Sequence, residues 1–425
     1  MTPKLLVTFF LVCNFCAICL AQRSTPVTEG KTSFEGMKKT KESFLRDQIF
    51  EHKNKPLDIE VIDKNVQLLK NIPGIEYAEY SLDTVGTVVD VTYKVKEIST
   101  LVPIINFGGI HGNIFFRLGI TDYNWLGRGQ FLSATYQNNH GLHSGHLFYK
   151  IPRRHNTAWG YTASASSWSS EEPLYFSEAI VDYIYQNNGI GASVIRHFGN
   201  TTTLEVGNTA FVELYNKVKA QPEENLPGPE QLTQQKLLSK IAFARNKVDY
   251  DYFYLKGSKW SLTYQNVFTN NEDFLFNSLQ FEGQYYYRPT SKINLATRIK
   301  LGLSTNTDSP FAPFVADSHV NIRGVGNRIS RGTAEAVINI EYRHTLSNHN
   351  SWASQFVAFT DIGSWRNPGG NITELIEKNQ IRHFVGIGGR LIYKKLFGAT
   401  IRVDYGVDIY NPEYRGLVLG LGQYF

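Results

Sequence analysis

The sequence predicts a membrane all-β protein, a 16-stranded antiparallel transmembrane β-barrel preceded by one small α+β domain. Three observations point there. Helical spacing is confined to residues 22 to about 97, and from about Val102 to Phe425 the pattern is apolar–polar alternation, run after run. Many of those runs exceed the about 9–11 residues of a tilted membrane strand, whereas soluble strands average about 5–6. The links between runs also alternate between tight turns and longer loops, as on the two rims of an outer-membrane barrel.

The first element is "MTPKLLVTFFLVCNFCAICLAQ", with one lysine, an apolar stretch from Leu5 to Leu20 and small residues at Cys19-Leu20-Ala21. This has the layout of a secretory signal peptide over residues 1–21, with Gln22 opening the mature chain. The chain's 3 cysteines, Cys13, Cys16 and Cys19, all lie in it. A mature chain without thiols excludes a disulfide framework and thiolate chemistry, and suits an oxidising envelope compartment. Mean hydropathy is −0.27, and after residue 21 no run approaches the roughly 18 apolar residues of a spanning helix. A formal net charge of +5 over 425 residues gives no case for nucleic acid.

The α+β region comes next. A strand around "TSFEGM" precedes "KTKESFLRDQIF", where Phe44, Leu45, Ile49 and Phe50 have helical spacing, and "DKNVQLLKNIP", where Val66, Leu68, Leu69 and Ile72 do. "GIEYAEYSL" and "TVVDVTYKVKE" then alternate as strands, giving the order β-α-α-β-β.

Sixteen runs follow, at 102–110, 112–122, 129–138, 143–152, 156–168, 187–198, 201–214, 237–254, 258–268, 274–288, 291–304, 333–345, 353–365, 381–394, 397–409 and 414–425. In "FGATIRVDYGVDI", Ile401, Val403 and Tyr405 share an apolar face while Arg402, Asp404 and Gly406 share the other. Turns such as "WLGRG", "KGS" and "RPTS" alternate with links that include the long loops 169–186, 215–236, 305–332 and 366–380. An even strand number brings both sheet ends to the short-turn rim, which puts the small domain in the periplasm. In hydrocarbon each backbone polar group needs a protein partner, so a spanning sheet must close, and Arg390, Arg402 and Asp404 then face the lumen.

Several stretches resemble the Omp85 superfamily, whose members join periplasmic POTRA domains to a sixteen-stranded barrel. The order ending in "VTYKVKE" is similar to one POTRA domain, and "LGITDYNWLGRGQFLSATY" to the second and third barrel strands. "NIRGVG" resembles the family's V-R-G-[FY] loop motif, with Val325 in place of the aromatic. "FTDIG", Phe359 to Gly363, resembles its aromatic-x-D-x-G strand, and "RGLVLGLGQYF" its last strand. After the signal peptide read at 1–21, the resemblance implies a periplasmic POTRA-like domain over 22–100 and an outer-membrane β-barrel over 101–425.

It also implies that the loop carrying Ile322, Arg323 and Gly324 folds back into the lumen, where Arg323 meets Asp361. Alternation independently sets Phe359, Asp361 and Gly363 inward on one strand, and Asn339, Glu341 and Arg343 inward on its neighbour. The plainer alternative makes Arg323 a solvated loop cation and pairs Asp361 with Arg343. A second candidate site is the seam between first and last strands. Gly108, Gly109 and Gly112 crowd the first strand. In the last, Gly416, Gly420 and Gly422 lie opposite Leu417, Leu419, Leu421, Gln423 and Phe425, of which Leu417, Leu419, Leu421 and Phe425 make the C-terminal strand signal. Glycine weakens strand packing, so the seam is a candidate lateral gate; the alternative is relief of crowding in a curved wall.

No G-x-S-x-G elbow, Walker loop or paired-cysteine pattern occurs, and His143 and His146 fall on opposite faces of one strand. No catalytic residue, metal or cofactor is expected, and no enzyme. The resemblance implies assistance to insertion or translocation of other proteins at the bacterial outer membrane, by strand addition at the POTRA domain and a gate between first and last strands. The alternative is a passive channel or structural surface protein retaining the fold. The implied partners are outer-membrane lipids, unfolded outer-membrane or surface-protein clients, and periplasmic or lipoprotein accessory subunits, with no nucleic acid.

Overall fold

Helical spacing gives way to alternation where the N-terminal unit gives way to the barrel. The structure, a computed structural model, describes residues 27–51, 55–108, 115–139, 141–153, 157–176, 178–218, 226–269, 275–306, 312–318, 321–326 and 330–425. The expected signal segment and the seam residues Gly109 and Gly112 lie outside the described residues. β1 (Thr28–Glu35), α1 (Glu42–Arg46), α2 (Ile59–Lys70), β2 (Ile75–Val85) and β3 (Val88–Glu97) follow the order read from the sequence. β3 is central, parallel to β1 and antiparallel to β2, so β2 keeps one edge unpaired among the described residues.

The first helix is shorter than its spacing predicts. Lys41 offers no side-chain cap, and α1 makes little more than one turn. Phe50 N donates instead to Asn65 Oδ1 at 2.8 Å. Asp58 caps α2, its carboxylate accepting from Glu60 N at 2.9 Å. Leu45, Ile62, Leu69, Val91 and Tyr93 form the core of this unit. Burial there pushes the Tyr93 phenol up to about 12.

The barrel strands are β4 (Leu101–Gly108), β5 (Phe115–Trp125), β6 (Gln130–Asn139), β7 (Leu142–Ile151), β8 (Trp159–Tyr175), β9 (Ile180–Phe198), β10 (Thr202–Lys217), β11 (Gln231–Asp251), β12 (Tyr254–Thr269), β13 (Phe276–Tyr287) and β14 (Ile293–Ser304). After the short pair β15 (Phe314–Ala316) and β16 (Ser330–Gly332) come β17 (Ala334–Asn348), β18 (Trp352–Arg366), β19 (Arg382–Tyr393), β20 (Thr400–Asp408) and β21 (Arg415–Leu421). Without β15 and β16 they make one 16-stranded sheet in sequential order. Ile338, Ile340, Ile387, Val403 and Leu419 stand exposed on its outside, while Asn339, Glu341, Arg390 and Asp404 are buried inside. No described helix is long and apolar enough to cross a membrane, which says nothing of strands.

Three expectations are corrected. Residues 169–186 are not a long loop, because β8 runs on to Tyr175 and β9 begins at Ile180. Residues 215–236 are likewise partly strand, with β10 reaching Lys217 and β11 starting at Gln231. These extensions are held by an inward cluster of Leu174, Val181, Tyr183 and Tyr215. The last strand ends at Leu421, four residues before the expected Phe425. Gly422 turns the chain with φ +87°. Tyr424 is then buried, and Phe425 packs beside Val248, Tyr286 and Ala296.

The sheet bends round until β21 lies beside β4, yet no ladder register joins the two among the described residues. Among the described residues the N-terminal unit meets the short-turn rim at the β5–β6 and β11–β12 turns, and Ser99 just after it pairs with Leu396 in the β19–β20 turn. At the β5–β6 turn, Lys41 N donates to Gly127 O at 2.8 Å and Asn124 Nδ2 to Thr40 Oγ1 at 2.8 Å. At the β11–β12 turn, Asn71 Nδ2 donates to Asp249 Oδ1 at 3.0 Å and Gln67 Nε2 to Tyr250 O at 3.1 Å. These turns are six strands apart in the sheet order, so the unit reaches across the barrel mouth.

Candidate functional site

The link between β14 and β17 turns into the lumen rather than out to solvent. β15 and β16 pair as a short ladder, and Ile322 N donates back to Asp317 O at 2.9 Å. Gly326 N donates to Ser318 Oγ at 2.6 Å, tightening the turn. Ile322 is wholly buried with Phe314, Val337, Trp365 and Phe384, and Val325 packs against the same cluster. Gly363 makes the room, since a Cβ there would lie 2.7 Å from Ile322 Cδ1.

This anchor delivers Arg323 to the wall of β17 and β18. Its Nε donates to Asp361 Oδ2 at 2.8 Å, its Nη2 to Asp361 Oδ1 at 2.8 Å, and its backbone N to Asp361 Oδ2 at 2.9 Å. Nη1 bonds Glu341 Oε1. The guanidinium carbon lies 3.6 Å from the Phe359 ring centroid and 4.2 Å from that of Tyr424. Arg323, Glu341 and Asp361 are each 0% exposed. Removing these charges from water costs several kcal/mol per ion, an order of magnitude offset only when two-pronged hydrogen bonding is nearly complete, as it is here.

The pair belongs to a larger network. Arg343 Nε donates to Glu341 Oε2 at 2.6 Å, and Arg390 Nη1 to Asp404 Oδ1 at 2.6 Å. Arg323 Nη1 stands 3.8 Å from Asp404 Oδ2. Asn339 Nδ2 donates both to Asp361 Oδ1 at 2.8 Å and to Asn321 O at 2.7 Å. Arg343 therefore pairs with Glu341, and the alternative pairing with Asp361 is not what the wall builds. Asn339 and Tyr424 were not singled out from sequence. Asn339 had a signal in its inward parity beside Glu341; its register partner is Asp361.

Gly324, at φ +94°, lies on the last two strands. A Cβ on it would come within 2.7 Å of Gly406 O. The remaining seam residues are dispersed. Gly108 ends β4 opposite Phe115, and Gly420 sits under Arg402, where a Cβ would be 2.6 Å from Nη2. Leu417, Leu419 and Leu421 are exposed on the outer face. Among the described residues no group of three or more His, Cys, Asp or Glu could hold a metal ion.

A family model described as the Omp85 superfamily domain matches residues 124–425. The chain belongs to the Omp85 superfamily. Its barrel is thus an outer-membrane barrel of that family, and the motif stretches at Arg323 and Asp361 fall inside the matched region. Among solved structures it is similar to BamA from Haemophilus ducreyi lacking POTRA domains 1–3, with a TM-score of 0.56 and 16% identity over 92% of this chain and 83% of that one. It is also similar to CdiB from Acinetobacter baumannii, with a TM-score of 0.60 and 11% identity over 94% and 74% of the two chains. CdiB from Escherichia coli gives 0.57 and 10% over 92% and 75%. At these identities the likeness is one of fold. No curated protein sequence matches the chain.

Proposed function

We propose that this Omp85 barrel assists insertion or translocation of other proteins at the outer membrane. In this reading residues 1–21 address the chain for export, 22–100 act as a periplasmic POTRA-like domain and 101–425 form the barrel. A client strand adds to the free edge of β2 and passes to a gate between β4 and β21. Clients are unfolded outer-membrane or surface proteins, with periplasmic or lipoprotein subunits as accessories. No residue is given a catalytic role.

The observation that carries the reading is the seam. β21 has 7 residues, and among the described residues no ladder register binds it to β4. Unpaired N–H and C=O groups on two facing edges are a template for an incoming strand. The Arg323 network then holds the wall of β17, β18 and β20 in shape while the edges part.

A second reading, a passive channel, draws on one feature. Inward small and polar residues, among them Thr162, Ser164, Ser193 and Gly207, line a lumen cavity of about 430 Å³ on the wall of β7–β12. A disulfide across the seam separates the two. Ile105→Cys is combined with Leu417→Cys or Leu419→Cys, all outward-facing positions. Oxidation is expected to stop client assembly in reconstituted vesicles and reduction to restore it. Assembly that continues in the cross-linked protein overturns the gate.

A further inference from the structure

Where the start of β2 and the end of β3 meet the barrel rim, they enclose with it a cavity of about 730 Å³. Glu76, Tyr77 and Lys96 line it from the N-terminal unit, and Tyr252, Lys292 and Lys394 from the turns of the barrel. Tyr77 stands near the start of β2 and is 48% exposed.

Tyr252 holds φ +63° in the β11–β12 turn, a left-handed conformation uncommon outside glycine, asparagine and aspartate. Its hydroxyl donates to Lys394 O, which ties this turn to the β19–β20 turn. An aromatic kept in an unfavourable backbone conformation, where glycine would fit more easily, is a cue to function.

The charges do not balance. Lys96 pairs with Glu76 at 2.9 Å, and Arg288 pairs with Asp251. Lys292 and Lys394 remain without a carboxylate among the lining residues. Among the described residues Lys394 Nζ donates to neutral oxygens, Asn348 Oδ1 at 2.9 Å and His349 O at 3.0 Å, and lies 5.5 Å from the Tyr252 ring centroid. The cavity therefore joins aromatic surface to two positive charges, at one end of an open strand edge.

We propose that this cavity receives the end of an extended polypeptide docked on β2, and that it selects an aromatic side chain next to a carboxylate. The inference rests on the reading that β2 accepts a strand. A chain paired along Ala78 to Leu82 carries its next residues to Tyr77 and so into the cavity. The aromatic ring then packs on Tyr77 and Tyr252, and the carboxylate faces Lys292 and Lys394. This adds sequence preference to main-chain pairing, which by itself has little.

The test uses the full chain in detergent and C-terminally amidated peptides of alternating sequence, labelled with fluorescein at the N-terminus, that end in Phe-Asp or in its amide twin Phe-Asn. Anisotropy at low ionic strength is expected to show the acidic peptide binding about fivefold tighter, the order two partly exposed ion pairs supply. Lys292→Gln with Lys394→Gln should erase that preference and leave the Phe-Asn peptide unchanged. Tyr77→Ala should weaken both peptides. Equal binding of the two peptides to the unaltered protein overturns the inference and leaves strand addition standing. A peptide N-methylated along its backbone should bind weakly. Full binding by the N-methylated form, or no binding by any peptide, overturns strand addition itself.

Discussion

Gly406 and Gly416 are register partners on β20 and β21, and the backbone of Gly324 lies across both. A Cβ on Gly406 would come within 2.4 Å of Arg323 O, and one on Gly416 within 2.9 Å of Gly324 O. The lumen loop thus touches β21, the strand at the seam, backbone to backbone. Tyr424 adds a second contact, since the tail beyond Gly422 brings its ring against Arg323. Loop and last strand are thus packed directly against each other.

Gly406→Val is expected to lift the loop from the wall. Overpacking of a well-fitted interior costs about 1–3 kcal/mol. The folded, fast-migrating gel band should therefore unfold at lower temperature, and protease should cut more readily between residues 305 and 332. Gly389→Ala is the control, because a Cβ there meets nothing within 4 Å. If both variants behave alike, the close approach has no energetic weight.

Asp361→Ala leaves three of the N–H groups of Arg323 without an acceptor in a site that is 0% exposed. Breaking such a pair costs about 3–5 kcal/mol. The urea midpoint of the detergent-solubilised barrel should fall accordingly. Arg323→Lys should lose nearly as much, since an ammonium cannot serve Asp361 two-pronged and Glu341 together. Arg323→Ala combined with Asp361→Ala should cost less than the two single changes summed, because no lone charge remains buried.

How much of this was legible follows from what alternation can and cannot encode. Each of the sixteen barrel strands overlaps an apolar–polar run, because lipid outside and polar groups inside impose a period of two. The same rule hid the upper parts of β8 and β9. In β8, Ser170 and Glu172 face inward with Leu174 while Glu171 and Pro173 occupy the outer positions, and in β9 the inner face carries Val181 and Tyr183 while Asp182 points outward, so the apolar-outside, polar-inside pattern is lost. Alternation ran through Gly422 to Phe425 in the sequence, but packing of Tyr424 on Arg323, Arg298 and Arg402 outweighs continuing the strand. Asp361 and Glu341 were readable as inward acids. That Asp404 answers Arg390 depends on which strands are neighbours and in what register, and a linear pattern does not carry that.

The far end of the loop is fixed by Arg331. Its Nε donates to Glu172 Oε2 at 2.7 Å, and its backbone N donates to Tyr175 Oη at 3.0 Å. Glu172→Gln keeps the shape and removes the charge, so the loss should be about 1–3 kcal/mol. Hydrogen exchange is expected to quicken in β15 and β16 and stay unchanged in β17. Equal quickening in both would mean that the wall, not the loop, depends on this pair.

The N-terminal unit sits on the rim through two glycines of the β5–β6 turn. A Cβ on Gly127 would fall 2.0 Å from Lys39 O, and one on Gly129 would fall 2.2 Å from the Phe44 ring. Both hold positive φ, at +71° and +62°. Alanine at either position adds backbone strain and a clash, and only the clash bears on docking. Gly141→Ala separates the two effects, because Gly141 has φ +78° and nothing within 4 Å of an added Cβ. All three cysteines lie before residue 20, so spin labels on Ser81→Cys and Ser351→Cys would be the sole labels in a chain lacking that segment. Gly127→Ala should broaden and lengthen their distance distribution, as the unit swings from the barrel mouth on its contacts at Asn71, Gln67 and Ser99. Gly141→Ala should leave the distribution narrow. A narrow distribution in Gly127→Ala as well would show that the other rim contacts suffice to hold the unit in place.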